Sequence, residues 1–227
     1  MDHQYIGDEL NAFQIAHRWK RYWIETLFSI IPRSMNTIEI GSGLGGNANI
    51  ISTLVPHYTG IEPDENLVAA AKEKNPNLDF ISGDITTLEY SPDPRVLIYA
   101  DVLEHIENDS AELLKAATVL ASGSYIGILV PAHQHLFSKF DESIGHFRRY
   151  SLDSLSTLTP PDFSIVLLKE LDSIGYLLAG LSKKFLNRGK VSKLQVRIWD
   201  SLIPGTKILD SYSFFPGKSV LMILRKF

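Results

Sequence analysis

The 227-residue sequence contains no cysteine, so disulfides, thiolate metal centres and cysteine nucleophiles are excluded. It has no basic surplus: 22 Lys and Arg stand against 26 Asp and Glu, for a net charge of -4. With a pI of about 6.0, that balance argues against a general nucleic-acid binder. No apolar run reaches the roughly 18 residues that a membrane span needs, so stable membrane insertion is not expected. The first ten residues, MDHQYIGDEL, lack the basic and apolar regions of a signal peptide. There is no internal repeat and no low-complexity tract. These absences predict a cytoplasmic protein. What is present is ordinary: 44% hydrophobic and 21% charged residues, enough for the core of one domain spanning 1–227.

Leu10, Phe13, Ala16, Trp19, Trp23, Leu27 and Ile30 recur every three or four residues, which predicts an amphipathic helix within an N-terminal helical segment, 1–31. Strands and helices then alternate. Strands are predicted at 36–40, 57–62, 78–81, 95–100 and 125–130, with helices at 44–54, 64–74 and around Leu113 to Leu120. RVLIYA and YIGILV are continuous apolar runs, as in strands buried on both faces. This order argues for an α/β parallel sheet with helices on both faces and a ligand at the carboxyl ends of its strands. Residues 132–150 are polar, aromatic and strand-free, and suit an acceptor loop or lid. Two further strands are predicted at 164–169 and 218–225, with a largely helical insertion at 173–204 between them.

Residues 37–46, TIEIGSGLGG, place a glycine-rich turn after the first strand. Gly41, Gly43 and Gly46 satisfy G-x-G-x-x-G, which would suit an NAD-dependent oxidoreductase. Glu39 argues otherwise, because the strand before a dinucleotide turn is usually plainly apolar. A carboxylate there has to be hydrogen-bonded. It could hold amides of the glycine turn, or anchor a ligand ammonium through water.

Glu39-Ile40-Gly41-Ser42-Gly43-Leu44-Gly45 resembles the first motif of class I S-adenosylmethionine-dependent methyltransferases. Three later segments resemble that family in the same order: Glu62 with Pro63, Gly83-Asp84-Ile85, and Asp101-Val102-Leu103-Glu104-His105. The resemblance covers residues 1 to about 155. The patterns ELNAFQIAHRWKRYW and DESIGHFRRYS are similar to a bacterial small-molecule subgroup near the ubiquinone-biosynthesis methyltransferases. It implies a Rossmann-like, doubly wound, mostly parallel seven-stranded sheet with an antiparallel last strand. It implies S-adenosyl-L-methionine as cofactor, held by Glu39, Gly41, Ser42, Gly43, Gly45, Glu62, Pro63, Asp84, Ile85 and Asp101. Glu62 would bind the ribose hydroxyls, and Asp84 and Ile85 the adenine.

Methyl transfer from a sulfonium needs an aligned acceptor, exclusion of water and, for oxygen, a base. His105, His146 and Asp141 are the catalytic candidates; His133, His135, Arg148, Arg149 and Tyr150 are the candidates for holding the acceptor. Paired arginines suit an acceptor with a phosphate or carboxylate; the bland alternative is a loop pinned by ion pairs, for instance Asp141 or Glu142 with Arg148. Asp101-x-x-Glu104-His105 resembles an E-x-x-E-H metal motif known among methyltransferases, but its first acid is Asp and no metal is assigned. Within the insertion, IGYLLAGL and then KKFLNRGK, with Lys183, Lys184 and Arg188, would suit a lipid-linked acceptor; a packed helix pair or homodimer surface is the alternative. The expected partner is a small-molecule acceptor, methylated on oxygen before nitrogen or carbon. The rival functions are the NAD-dependent oxidoreductase and a non-catalytic nucleotide-binding scaffold.

Overall fold

The apolar runs pair side by side in a computed structural model that describes residues 12–185, 192–212 and 215–227. Strands β1 (Thr37–Ile40), β2 (Tyr58–Glu62), β3 (Asp79–Ser82), β4 (Val96–Ala100) and β5 (Tyr125–Pro131) are all mutually parallel. β6 (Phe163–Leu171) and β7 (Ser219–Lys226) complete one seven-stranded sheet in the order β3-β2-β1-β4-β5-β7-β6. β7 runs antiparallel to both of its neighbours. The order reverses between β1 and β4, and at that switch point the strand ends leave a crevice. Val96, Leu97, Ile98 and Tyr99 are all buried, as a strand covered on both faces requires.

Helix α1 (His17–Leu27) buries Trp19, Tyr22, Trp23, Ile24 and Leu27 on one face. It lies on β5 where the strand has no side chain: a Cβ at Gly127 would sit 2.5 Å from Leu27 Cδ1. Leu10, on the predicted continuation of that face, lies outside the described residues. Helices α2 (Ala48–Ile51), α3 (Glu65–Lys74) and α4 (Asp109–Thr118) follow β1, β2 and β4. The helix predicted over 44–54 shrinks to the single turn of α2. Gly43 and Gly45 have φ of +52° and +68°, a left-handed path that an α-helix cannot contain, so the helix starts late. Asp64 caps α3, accepting from the Asn66 amide at 2.8 Å.

The loop after β5 holds a short helix, α5 (Lys139–Ser143), and returns to the sheet through a bridge between Ala132 and Tyr150, ahead of α6 (Leu152–Ser156). The predicted insertion forms α7 (Ser173–Phe185), α8 (Lys193–Ser201) and α9 (Ile203–Asp210). Buried acids tie it down. Asp200 of α8 accepts from the Trp19 amide at 2.9 Å and the Arg18 amide at 3.3 Å. Ala16, at the start of α1, has no side chain able to cap, so Asp200, 181 positions from Trp19, supplies the acceptor. Asp210 accepts from Tyr22 Oη at 3.0 Å and from the amides of Asp172 and Ser173 at 2.8 and 3.0 Å. Among the described residues, no helix is long and apolar enough to cross a membrane.

Candidate active site

A cavity of about 860 Å³ opens at the carboxyl ends of β1, β4 and β5. Its floor is made by Gly41, Ser42 and Gly43 after β1, by Ala100 and Asp101 at the end of β4, and by Pro131 at the end of β5. Its walls come from α1, α5, α7 and α8. The glycine turn is shaped by contact as well as by dihedrals. A Cβ at Gly41 would fall 2.6 Å from Val102 Cγ2, and one at Gly46 would fall 2.5 Å from Lys20 Nζ.

The two acids predicted beside the cofactor divide their work differently from expectation. Glu39 does not hold turn amides. It is buried and accepts from Asn47 Nδ2 at 2.7 Å and from Tyr58 Oη at 2.5 Å. Burial raises its pKa, against the pull of those two donors and of Lys20. The turn amide belongs to Glu62, whose carboxylate accepts from Gly43 at 2.9 Å and from Asp64 at 3.1 Å. β1 and β2 place the two acids on neighbouring strands, with Glu39 beside Gly60 in register.

Lys20, which the sequence reading passed over, reaches into this turn. Its Nζ donates to the Gly46 carbonyl at 3.3 Å and the Gln14 carbonyl at 3.4 Å, and it lines the cavity. Burial lowers its pKa to about 8, with Glu39 and Asp101 opposing the shift. The signal was a lysine set on the apolar face of α1, between Trp19 and Trp23. Asp101 faces the cavity with φ of +56°, a strained path for a residue with a side chain. Its side chain opens to the cavity, yet the surrounding protein still disfavours its charge and raises its carboxyl pKa, although the charges of His146, Lys218 and Arg149 oppose this.

Pro63, Asp84 and Ile85 lie away from the cavity lining. Pro63 is exposed. Asp84 accepts from the Thr86 amide at 2.7 Å and caps the 3-10 turn Ile85–Thr87. Ile85 is 1% exposed and packs in the core, so it offers no surface to an adenine ring as it stands.

At the other end of the cavity the loop after β5 meets the end of β4. Asp141 is the hub. It accepts a bidentate pair from Arg149, Nε at 2.8 Å and Nη2 at 3.2 Å, and bonds from the Ser138 amide and hydroxyl. His146 Nδ1 lies 3.0 Å from Asp141 Oδ1. Burial alone would raise the pKa of Asp141; the bonds from His146 and Arg149 and the Arg149 charge outweigh it and hold the group well below the usual carboxylate range. An ionised carboxylate only accepts, so the Nδ1 facing it is the protonated nitrogen, and Nε2 is the nitrogen left to meet other groups. That nitrogen stands 3.8 Å from Glu104 Oε1.

Glu104 is fully buried, and neither of its oxygens has a hydrogen-bond partner among the described residues. Burial first, then the charge of Asp101, pushes its pKa well above the ordinary carboxylate range. His105 packs edge-on to His146 with ring centroids 4.5 Å apart; burial and its neighbour's charge lower its pKa to about 4. Ligand atoms of Glu104, His105 and His146 lie within 4.8 Å of one another, a donor set able to take a cation. It shares Glu104 and His105 with the motif weighed from the sequence, but His146 replaces Asp101.

The residues predicted to hold the acceptor are mostly placed elsewhere. Arg148 spans the carbonyls of Ile106 and Glu107, each at 2.8 Å, and Asp109 Oδ2 at 2.8 Å. Tyr150 is 2% exposed and donates to the same Asp109 oxygen at 2.7 Å. His133 lies 3.3 Å from Glu170, and His135 packs on Tyr176; neither lines the cavity. Arg149 does line it, but its guanidinium is committed to Asp141. The reason is electrostatic: a loop rich in both signs folds by pairing them, and the ion-pair alternative describes these arginines, with Asp109 and Asp141 as the partners. The groups that do face the cavity are largely aromatic and apolar: Phe13, Trp19, Phe137, Phe140, Leu178 and Trp199.

Comparison with known proteins fixes the class. Residues 13–160 match the family model described as "Methyltransferase domain", and the chain belongs to that family. The family match, with Glu39 and the order of motifs, speaks for a methyltransferase rather than the dehydrogenase that the literal glycine spacing allows. Trans-aconitate 2-methyltransferase of Mycobacterium ulcerans is 27% identical over 103 residues. That match spans 44% of this chain and 38% of the relative's length. A SAM-dependent methyltransferase from Thermotoga maritima superimposes with a TM-score of 0.63 at 15% identity, covering 97% of this chain and 95% of its own. Phosphoethanolamine N-methyltransferase 2 of Haemonchus contortus, solved with S-adenosyl-L-methionine, gives 0.58 at 16% identity, covering 94% of this chain and 56% of its own. At such identities the two structures speak for the fold.

Proposed function

We propose that this chain transfers the methyl group of S-adenosylmethionine to a hydroxyl oxygen of a small-molecule acceptor. The observation that carries the oxygen is the Asp141–His146 pair at the cavity wall: Nδ1 is fixed at 3.0 Å on a carboxylate, which leaves Nε2, beside Glu104, to serve as the base. Bound S-adenosylmethionine would supply an activated methyl, which an acceptor oxygen would displace from sulfur, releasing S-adenosylhomocysteine. The acceptor proton passes to His146 Nε2, and Asp141 stabilises the resulting imidazolium. Glu104 and His105 would contact the hydroxyl from either side. The glycine turn, Glu62 and Asp101 would hold the cofactor, with Glu39 fixing the turn through Asn47. Lys20 would meet the carboxylate of its amino-acid tail. The N-terminal helix and α7 and α8 of the insertion wall the same cavity, which supports reading the chain as one domain.

An acceptor bearing a phosphate or carboxylate loses its main support once Arg148 and Arg149 are seen to be paired internally. The aromatic walls favour an aromatic or otherwise apolar body carrying the hydroxyl. The first test is calorimetric titration with S-adenosylhomocysteine and, in parallel, NADH. Micromolar binding of the first alone is expected. Binding of NADH alone would overturn the reading. Binding of the first with no turnover on any hydroxylated acceptor would leave the scaffold.

A further inference from the structure

We propose that the outer face of α8, with the adjoining rim of α7, docks on an anionic lipid surface, and that the acceptor is an amphiphile drawn from it. The acceptor part rests on the methyltransferase reading; the docking part does not. Leu194, Ile198 and Leu202 follow one another at intervals of four and are 66%, 53% and 38% exposed. They form an apolar stripe on the side of α8 away from its buried Val196 and Trp199. Leu178 of α7, also 37% exposed, and Ile198 both line the cavity, so the stripe is continuous with the cavity's rim. Eight of the sixteen exposed large apolar side chains among the described residues fall between Leu177 and Phe215, so the pattern is a concentration, not scattered surface residues.

The charges decide the partner. The acids of α8 and α9, Asp200 and Asp210, are turned inward to bond α1 and Ser173. The outward charges of these helices are Lys193, Arg197 and Lys207. Lys193 and Arg197 are spaced by four beside the apolar stripe and have no ion-pair partner among the described residues. An apolar stripe flanked by unpaired cations is the pattern of a helix lying in an anionic bilayer interface. A second copy of the chain fits less well. A two-fold contact on this stripe would bring like charges together and cover Leu178 and Ile198 at the rim. A lipid surface leaves a use for that rim: the polar head of an amphiphile reaches Glu104 and His146, while its tail passes between Leu178 and Ile198 into the bilayer.

The test is flotation of the full chain with phosphatidylcholine vesicles that either contain or lack a quarter of phosphatidylglycerol, in 50 mM and 500 mM salt. Binding is expected to the anionic vesicles, at least tenfold weaker to the neutral ones, and lost at high salt. Leu194→Glu is expected to reduce partition tenfold or more, and Lys193→Glu with Arg197→Glu to abolish the preference for phosphatidylglycerol. Thermal stability and S-adenosylhomocysteine affinity should not change in either, since none of the three residues lines the cavity. Quenching of tryptophan fluorescence by 4-dodecylphenol probes the cavity itself, and Ile198→Glu is expected to weaken it at least tenfold. No partition of wild-type protein at low salt would overturn docking. So would a dimer in sedimentation that Leu194→Glu dissociates. Vesicle binding without S-adenosylhomocysteine binding would keep docking and sink the methyltransferase reading; the reverse result would do the opposite.

Discussion

Lys20→Met offers a sharp test of how the cofactor is held. The ammonium sits between two backbone carbonyls at 3.3 and 3.4 Å, long contacts that leave it able to turn to a better acceptor at the edge of the glycine turn. A carboxylate bound there would form a charge-assisted bond, worth about 1.5–3 kcal/mol, so its loss should weaken S-adenosylhomocysteine roughly ten- to hundredfold. Methylthioadenosine keeps the adenosine and the sulfur but has no amino-acid tail. Its affinity should change less than about twofold, a difference well under the worth of one hydrogen bond. The pH dependence is a second readout. In the free protein Lys20 has a pKa of about 8. A bound carboxylate favours the ammonium, so binding takes up a proton once pH exceeds that value. Wild-type affinity should then fall as pH rises above 8, by up to about tenfold per unit. Below it the group is charged in both states and the dependence vanishes. The Met variant loses this slope, whereas Lys20→Arg restores binding and stays flat to higher pH. Calorimetry with both ligands from pH 7 to 9.5 measures all of this. Equal losses for the two ligands would mean that Lys20 only props α1 against the turn, and the reasoning would fail.

Four further outcomes follow from the same geometry. His146→Ala should lower kcat on any acceptor the wild type turns over by about 10²–10⁴, with cofactor affinity unchanged. Asp141→Asn should move the acid limb of the kcat/KM profile to lower pH, because the imidazolium loses its carboxylate neighbour; unaltered profiles in both variants would remove the base. Arg148→Ala should act on stability: it abandons two carbonyls and Asp109, at a cost of about 1–3 kcal/mol, or about 3–10 °C in Tm for a chain of this size. A raised acceptor KM with no change in Tm would instead make it an acceptor ligand. Asp210→Ala should be the most damaging, near 3–5 kcal/mol and about 10 °C or more, since four donors from Tyr22, Asp172 and Ser173 lose one acceptor. Differential scanning fluorimetry checks both, and a Tm within about 2 °C of wild type would refute the assigned role of Asp210.

How far the sequence reveals this molecule depends on whether a feature is local. β4 and β5 are legible because a strand covered on both faces must be a continuous apolar run. The glycine turn is legible because its backbone needs residues without side chains at 41, 43 and 45. The helix predicted over 44–54 begins only at Ala48 for the same reason: the apolar periodicity extends through the turn, but the left-handed residues there cannot be helical. Charged residues are harder, because a carboxylate's role depends on what arrives from elsewhere in the chain. Glu39 and Glu62 both look like ligand-facing acids, yet one bonds Asn47 and Tyr58 while the other holds the turn. Arg148 and Arg149 look like a pair, yet they serve Asp109 and Asp141 separately. His146 is the opposite case. Nothing within its own loop shows that its ring would stand against Glu104 and His105; only the neighbouring ends of β4 and β5, paired in parallel, bring them together. The cofactor end of the cavity is therefore written largely in consecutive residues and the acceptor end is assembled from distant ones. A substitution at the acceptor end can change its chemistry without disturbing any motif that marks the family. That is why the family follows from residues 13–160 while the identity of the acceptor has to be sought in the walls of the cavity.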